Sequence, residues 1–344
     1  MKSVAIKGLK EFELKEIDEP SINGENVVVE VKKAGICGSD IHYWDVGQPV
    51  GLVMGHEFCG TVLDPGNRND LKVGDRVTAL PISPCGHCDA CLSGNPQYCA
   101  ETWTRALGLS LTNPGAYAEK TSIRPDMVIK VPKSMTDAEV AMVEPTAVAL
   151  HAVNLANIKI GDKVLVVGAG IIGTLCASLA KMNGASYVAM SETNEKRGAK
   201  SVKLKSADEW FDAKDEKFME NVRSKCADGY DVVIECCGNS AAVSSALLNA
   251  KNGGTVVLVG VSLANIEYPS ILNVMHELNV KGAIGYTVFE FNDCIELMTK
   301  KKIDTLKFVD DIVSLERVQE SFERLTSGED GAIKILIDPK KWFF

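Results

Sequence analysis

"VLVVGAGIIG", residues 164–173, is a continuous apolar run that ends in Gly168, Gly170 and Gly173, spaced G-x-G-x-x-G. A strand that feeds such a turn and opens a helix is the pattern of a dinucleotide site. The first glycine permits the tight turn, the second lets backbone approach a pyrophosphate, and the third lets the helix pack closely on the strand. The helix beginning at Ile171 and Ile172 would offer free N–H groups to the phosphates. The next apolar strand, "YVAMSE" (187–192), ends at Glu192. A carboxylate about 20 residues beyond the glycines is the expected partner of the ribose hydroxyls of NAD. Glu192 would repel a 2′-phosphate, which favours NAD over NADP, while Lys196 and Arg197 beside it keep NADP open; Arg197 joins the cofactor-binding candidates. A plain tight turn would explain the glycines but not the matched carboxylate.

Outward from this stretch, "KVLVVG", "YVAMSE", "DVVIEC" and "GTVVLVG" are near-continuous apolar runs, as a parallel sheet covered on both faces requires. Helical stretches such as "IIGTLCASLAKMN", which Gly184 would cap, and "SAAVSSALLNAKN" alternate with them. The reading is a doubly wound α/β domain over 154–284. Before it, residues 1–153 give short β-rich runs, "NVVVEVKKAGI", "EFCGTVLDPG", "VGDRVTAL", "AYAEKTSI" and "MVIKVP", punctuated by Gly, Pro and Asn. After it, 285–344 gives the helical "FNDCIELMTKKK" and "LERVQESFERLTSG" and a last strand, "AIKILI", free to rejoin the first domain. The closing "KKWFF" reads either as anchored apolar groups or as an exposed end.

At 344 residues the chain exceeds what one core usually organises, and with 46% hydrophobic and 24% charged residues it has an ordinary globular composition. Its net charge of -9 argues against nucleic acid or an anionic membrane as partner, because phosphate binding needs a concentrated basic surface. "MKSVAIKGLKEFELKE" lacks the uninterrupted apolar core of a secretory signal, so a cytoplasmic protein is expected. An odd 11 cysteines in such a chain read as metal ligands plus buried thiols.

"PCGHCDACLSGNPQYC" (84–99) spaces Cys85, Cys88, Cys91 and Cys99 as C-x2-C-x2-C-x7-C. Four thiolates in so short a loop match a closed tetrahedral zinc site, which has no open position and is therefore structural. His87 reads as a turn residue, and the remaining Cys59, Cys176, Cys226, Cys236, Cys237 and Cys294, which lie mostly in apolar runs, as buried packing residues. A zinc-finger-like module fails on charge and on the absence of a basic recognition helix.

"AGICGSDIHYWDVG" (34–47), "MGHEFCGTV" (54–62), "VGDRV", the four-cysteine lobe, "MVEPTAVALHAV" (142–153), "VLVVGAGIIG" and "DVVIECCG" follow one another along the chain. In that order they resemble the zinc-dependent medium-chain dehydrogenase/reductase superfamily over essentially the whole length. "HYW" and "EPTAVALHA" are similar to its sorbitol, xylitol and related polyol dehydrogenases. The resemblance implies a GroES-like β-rich catalytic domain plus a Rossmann domain, and a catalytic zinc held by Cys37, His56 and a carboxylate. In this branch Glu57 is the usual third ligand, with Glu144 close by. Neighbours on an extended strand point to opposite faces, so Glu57 ligates beside His56 only if the backbone turns there, which Gly55 and Gly60 would ease. Glu57 and Glu144 both stay open.

The resemblance further implies that Ser39 contacts the substrate oxygen and that His42 passes the proton to solvent, with Glu144 in the same catalytic set. Asp40 would fix the loop and the helix start. Tyr43 and Tyr286 are candidates for substrate hydroxyls. Gly285 stands where sorbitol-type enzymes commonly carry arginine, which moves the expectation from sorbitol to another polyol or secondary alcohol. The expected function is hydride transfer between a secondary alcohol, a polyol or sugar derivative, and NAD, with two zinc ions per chain and assembly as a homodimer or homotetramer. The alternatives are a threonine- or butanediol-type dehydrogenase of the same superfamily and a catalytically silent NAD-binding protein.

Overall fold

The run Lys163–Val167 lies inside a six-stranded sheet in the order Glu209–Asp212, Tyr187–Glu192, Lys163–Val167, Tyr230–Glu235, Ala250–Leu258, Asn279–Gly282. Every neighbouring pair is parallel. Its inner strands are buried on both faces, which is why they read as unbroken apolar runs. Helices Ile171–Met182, Glu195–Lys203 and Ser240–Asn249 join them. Leu165, Val233, Val243, Leu247 and Val256 belong to one core beneath these elements. The strand order reverses between Lys163–Val167 and Tyr230–Glu235, the switch point at which such sheets bind nucleotides.

The computed structural model describes residues 1–341 and divides the chain into two compact units. The parallel sheet belongs to the unit formed by Thr146–Tyr286 with Gly328–Ile333; the other comprises Met1–Pro145, Thr287–Ser327 and the chain from Lys334 on. The division falls at Pro145, inside the helix Val143–Ala156, whereas sequence composition changes only near 153. A continuous apolar helix carries no mark of a boundary within it. Of "KKWFF", residues 342–344 lie outside the described residues.

The second unit holds a seven-stranded sheet in the order Asp311–Val313, Ile335–Ile337, Val27–Gly35, Glu57–Asp64, Arg76–Ala79, Val128–Lys130, with Lys120–Ile123 also paired to Val27–Gly35. The tail thus rejoins the first part of the chain through Ile335–Ile337, antiparallel to Val27–Gly35 with Leu336 opposite Gly35. On its other edge Gly35 pairs with Glu57. Helix Val288–Thr299 starts with a capping box in which Thr287 and Glu290 exchange hydrogen bonds. Among the described residues no helix is long and apolar enough to cross a membrane.

Candidate functional site

Cys37 immediately precedes helix Gly38–Val46, and its N–H donates to Asp40 Oδ2 at 3.1 Å. His56 immediately precedes strand Glu57–Asp64, after Gly55 at φ +98°. The alternation that sends strand neighbours to opposite faces therefore does not bind His56 and Glu57. Cys37 Sγ, a His56 ring nitrogen and a Glu57 carboxylate oxygen all lie within 4.8 Å of one another. His56 and Glu57 are buried. Glu144, buried in the first turn of helix Val143–Ala156, is not in that group of three. A thiol, an imidazole and a carboxylate converging, with no fourth His, Cys, Asp or Glu in the group among the described residues, match the donor set that a catalytic zinc site requires.

A fully buried carboxylate orients this cluster. Asp40 Oδ1 faces His56 Nδ1 at 3.5 Å, which leaves Nε2 as the nitrogen that could hold a cation. Asp40 Oδ2 also accepts the Tyr117 phenol at 2.6 Å. Burial and the Asp40 charge push the Tyr117 phenol well above its ordinary pKa, so it stays a donor. Burial by itself would lower His56, but Asp40 and Cys37 outweigh it and raise the imidazole well above its usual value. Burial, with the Glu57 charge, raises Cys37. A cation held by these two groups would displace their protons. The buried side chain of Lys334 pairs through Nζ with Glu57 Oε2.

Ser39 Oγ lies 3.5 Å from His56 Nε2, and His42 follows three residues later on the same helix. Residues spaced i, i+3 share a helix face. Ser39, His42 and Tyr43 are each partly exposed, whereas Tyr286 is buried at 2% exposure.

The four-cysteine group also converges, with all four Sγ atoms within 4.8 Å of one another. Cys88 and Cys91 Sγ are 3.5 Å apart, and Cys85 and Cys91 are 4.0 Å apart. Four thiolates around zinc at about 2.3 Å have edges of about 3.8 Å, so the cage fits that ion, while a disulfide would need about 2.05 Å. The Cys85 N–H donates to Cys99 Sγ at 3.4 Å and brings its pKa down to about 6, whereas desolvation pushes Cys91 up to about 12. A cation would remove that asymmetry by holding all four as thiolates. His87 turns to the Cys85 carbonyl at 3.0 Å and stays exposed.

At the glycine turn, Gly168 takes φ +101° and Gly170 is the N-cap of helix Ile171–Met182. A Cβ on Gly173 would run into the Gly168 carbonyl oxygen, whereas one on Gly170 meets nothing within 4 Å. The third glycine therefore serves packing, and the second leaves open space beside the helix N-terminus, as a pyrophosphate requires. Glu192 is held at this turn: Oε2 accepts Ala169 N at 2.7 Å, and Oε1 accepts Thr193 N at 2.7 Å and Asn194 N at 2.8 Å. Arg197 turns to segment Gly328–Ile333, where Nε donates to Ala332 O at 3.1 Å. Lys196 donates to the Glu329 carbonyl and Lys200 to that of Gly331.

Two cysteines depart from the packing role expected of them. Cys236 is partly exposed and Cys237 exposed, because they follow the end of strand Tyr230–Glu235 where the chain turns beside Gly168. Cys59, Cys176, Cys226 and Cys294 are buried. Sequence reasoning missed Tyr117, which has no motif of its own, and Lys334, whose only signal is a lone cation inside the apolar "AIKILI".

The alcohol dehydrogenase GroES-like domain matches residues 23–133, and the zinc-binding dehydrogenase domain matches residues 172–300. D-xylulose reductase A of Aspergillus niger is 31% identical over 97% of this chain and 96% of its own. The chain belongs to the zinc-dependent medium-chain dehydrogenase/reductase superfamily. Sorbitol dehydrogenase of Bacillus subtilis is 29% identical over 99% of this chain and 98% of its own. Among solved structures, 2R,3R-butanediol dehydrogenase of Bacillus subtilis superposes with a TM-score of 0.86 at 29% identity, covering 98% of this chain and 99% of that one. The chain is thus an alcohol dehydrogenase of the zinc type, akin to the polyol branch.

Proposed function

We propose that this enzyme oxidises a secondary alcohol, a polyol or sugar derivative, to its ketone with NAD. It does so with one zinc at Cys37, His56 and Glu57 and a second, structural zinc at Cys85, Cys88, Cys91 and Cys99. The observation that carries the proposal is the convergence of three different donors within 4.8 Å. When bound, zinc supplies a Lewis acid that lowers the pKa of an alcohol, and the nicotinamide supplies the hydride acceptor.

The chain's own residues do the rest. Asp40 and Lys334 hold the ligands His56 and Glu57 in place. The Ser39 hydroxyl, beside His56 Nε2, accepts the alcohol proton as it gives up its own, which His42 on the same helix face passes to solvent. Glu144, and Tyr43 and Tyr286 for further hydroxyls, complete the substrate contacts. Gly168, Gly170, Ile171, Ile172 and Gly173 receive the pyrophosphate. Glu192, fixed at that turn, meets the ribose hydroxyls. The engagement of Lys196 and Arg197 with carbonyls of Gly328–Ile333 supports NAD over NADP.

The edge strand Asn279–Gly282 ends its sheet, and nearby Ile271, Val274 and Met275 are 64%, 76% and 70% exposed. An unpaired strand edge with apolar neighbours suits continuation of the sheet into a second copy, hence a homodimer or a homotetramer built from it. None of the described cysteines is in a disulfide, in keeping with a cytoplasmic setting.

The test follows NADH formation against polyols, sugar phosphates, butanediols and threonine, with a chelator control. Chelator-sensitive turnover of a polyol or sugar derivative supports the proposal. Preference for threonine or a butanediol would move the substrate to that class, and NADH binding without turnover of any alcohol would refute catalysis.

A further inference from the structure

The side chain of Lys334 is fully buried, and so is that of Glu57 at 1% exposure, although 277 residues separate them in sequence. Lys334 Nζ pairs with Glu57 Oε2 and donates to the Ile36 carbonyl at 2.9 Å. The Lys334 backbone is clamped in both directions: its N–H donates to Asp310 Oδ2 at 3.1 Å, and its carbonyl accepts Asp310 N at 2.8 Å. The Ile335 carbonyl accepts Ile36 N at 3.1 Å, and Leu336 stands opposite Gly35 in the ladder. A Cβ on Gly35 would fall on Glu57 Oε2 and within 2.9 Å of Lys334 Nζ. Gly35 is not at positive φ, so its missing side chain provides space rather than backbone freedom.

We propose that Lys334, delivered by the C-terminal strand into a slot left by Gly35, is the positioning residue that holds one oxygen of Glu57, turns the other toward Cys37 and His56, and so sets metal retention there. A carboxylate can ligate through either oxygen or both. Tying one to a buried ammonium removes that freedom, as outer-shell partners of ligands commonly do. The pair also keeps Glu57 in place before a cation arrives, because a buried carboxylate without a partner is costly. Gly35 and Lys334 then act as one device, one by the space it leaves and the other by its charge. The inference rests on Cys37, His56 and Glu57 being a metal site.

The test uses the full-length protein with zinc and, separately, cobalt as probes. Native protein is compared with K334M, G35A, E57Q, C37S and the double variant K334M/E57Q. The readouts are zinc content per chain, zinc release to a chromophoric chelator, and the visible spectrum of the cobalt form. K334M and G35A should release zinc from the Cys37 site about 10–100-fold faster than native and alter the cobalt bands. The four-cysteine zinc should stay in place. K334M/E57Q, which removes both buried charges, should fold and release zinc no faster than E57Q alone.

Native release and spectra in K334M and G35A would overturn the proposal, as would equal loss from both zinc sites or additive effects of the two substitutions. C37S separates the two levels of the argument. If C37S loses one zinc and K334M changes nothing, the metal-site reading stands and the role of Lys334 falls. If C37S keeps both zinc ions, the site reading itself fails.

Discussion

Gly170 and Gly173 lie three residues apart in one turn, and the structure assigns them separable tasks. Gly173→Ala would put a methyl group on the Gly168 carbonyl oxygen, with the Gly168 carbonyl carbon at 3.1 Å and Val166 Cγ1 at 3.3 Å. Alanine gains about 1 kcal/mol over glycine within a helix, while overpacking costs about 1–3 kcal/mol. A backbone carbonyl fixed between strand and helix cannot swing aside, which puts the cost at the upper end. The expected net loss of about 2 kcal/mol lowers the melting temperature by about 4–8 °C. Gly170→Ala behaves differently, because Gly170 sits at φ −70°, ψ −177°, open to alanine, and the new methyl meets no protein atom within 4 Å. Its stability should stay within about 1 kcal/mol of native. That methyl enters the space assigned to pyrophosphate, and NADH should bind at least about tenfold more weakly, about 1.4 kcal/mol. Thermal melts and fluorescence titration with NADH measure the two quantities. Native NADH affinity in Gly170→Ala, or a native melting temperature in Gly173→Ala, would refute the division of roles.

Asp40→Asn weakens the hold on His56 and should reduce zinc affinity at that site about 10–100-fold; Tyr117→Phe removes one hydrogen bond to the same carboxylate and should cost about 1.5–3 kcal/mol in a denaturant melt. Cys88→Ser opens the four-cysteine cage, with loss of one zinc per chain and faster protease cleavage within 85–99; unchanged metal content would contradict the structural assignment. Val274→Glu places a charge on the exposed apolar face beside the edge strand, and light scattering should show a smaller assembly while the monomer keeps its fold.

The glycine turn, the four cysteines and the inner strands were legible because their signals are local. Spacing within about fifteen residues, or a run of apolar residues, suffices to find them. The edge strands Glu209–Asp212 and Asn279–Gly282 were not, since an edge strand is only part-buried and carries the charged or polar residues seen in "EWFD" and "NVKG". Whether Glu57 or Glu144 joins Cys37 and His56 was undecidable from alternation alone. That Glu57 lies together with Cys37 and His56 depends on the turn at Gly55, whose φ of +98° puts His56 outside the ladder that Glu57 begins. Lys334 and Tyr117 were beyond reach for a further reason: they meet Glu57 and Asp40 only through strand pairing and loop packing across 277 and 77 residues. Arg197, near Glu192 in sequence, donates from Nε to the Ala332 carbonyl, a contact that no local signal announces.

Zinc per chain in native protein and in Cys37→Ser, measured together with alcohol-dependent NADH formation, tests the central claim most directly. The account predicts two zinc ions and turnover for the native enzyme. For the variant it predicts one zinc, no turnover and an intact four-cysteine site. Two retained zinc ions or native turnover in Cys37→Ser would contradict it.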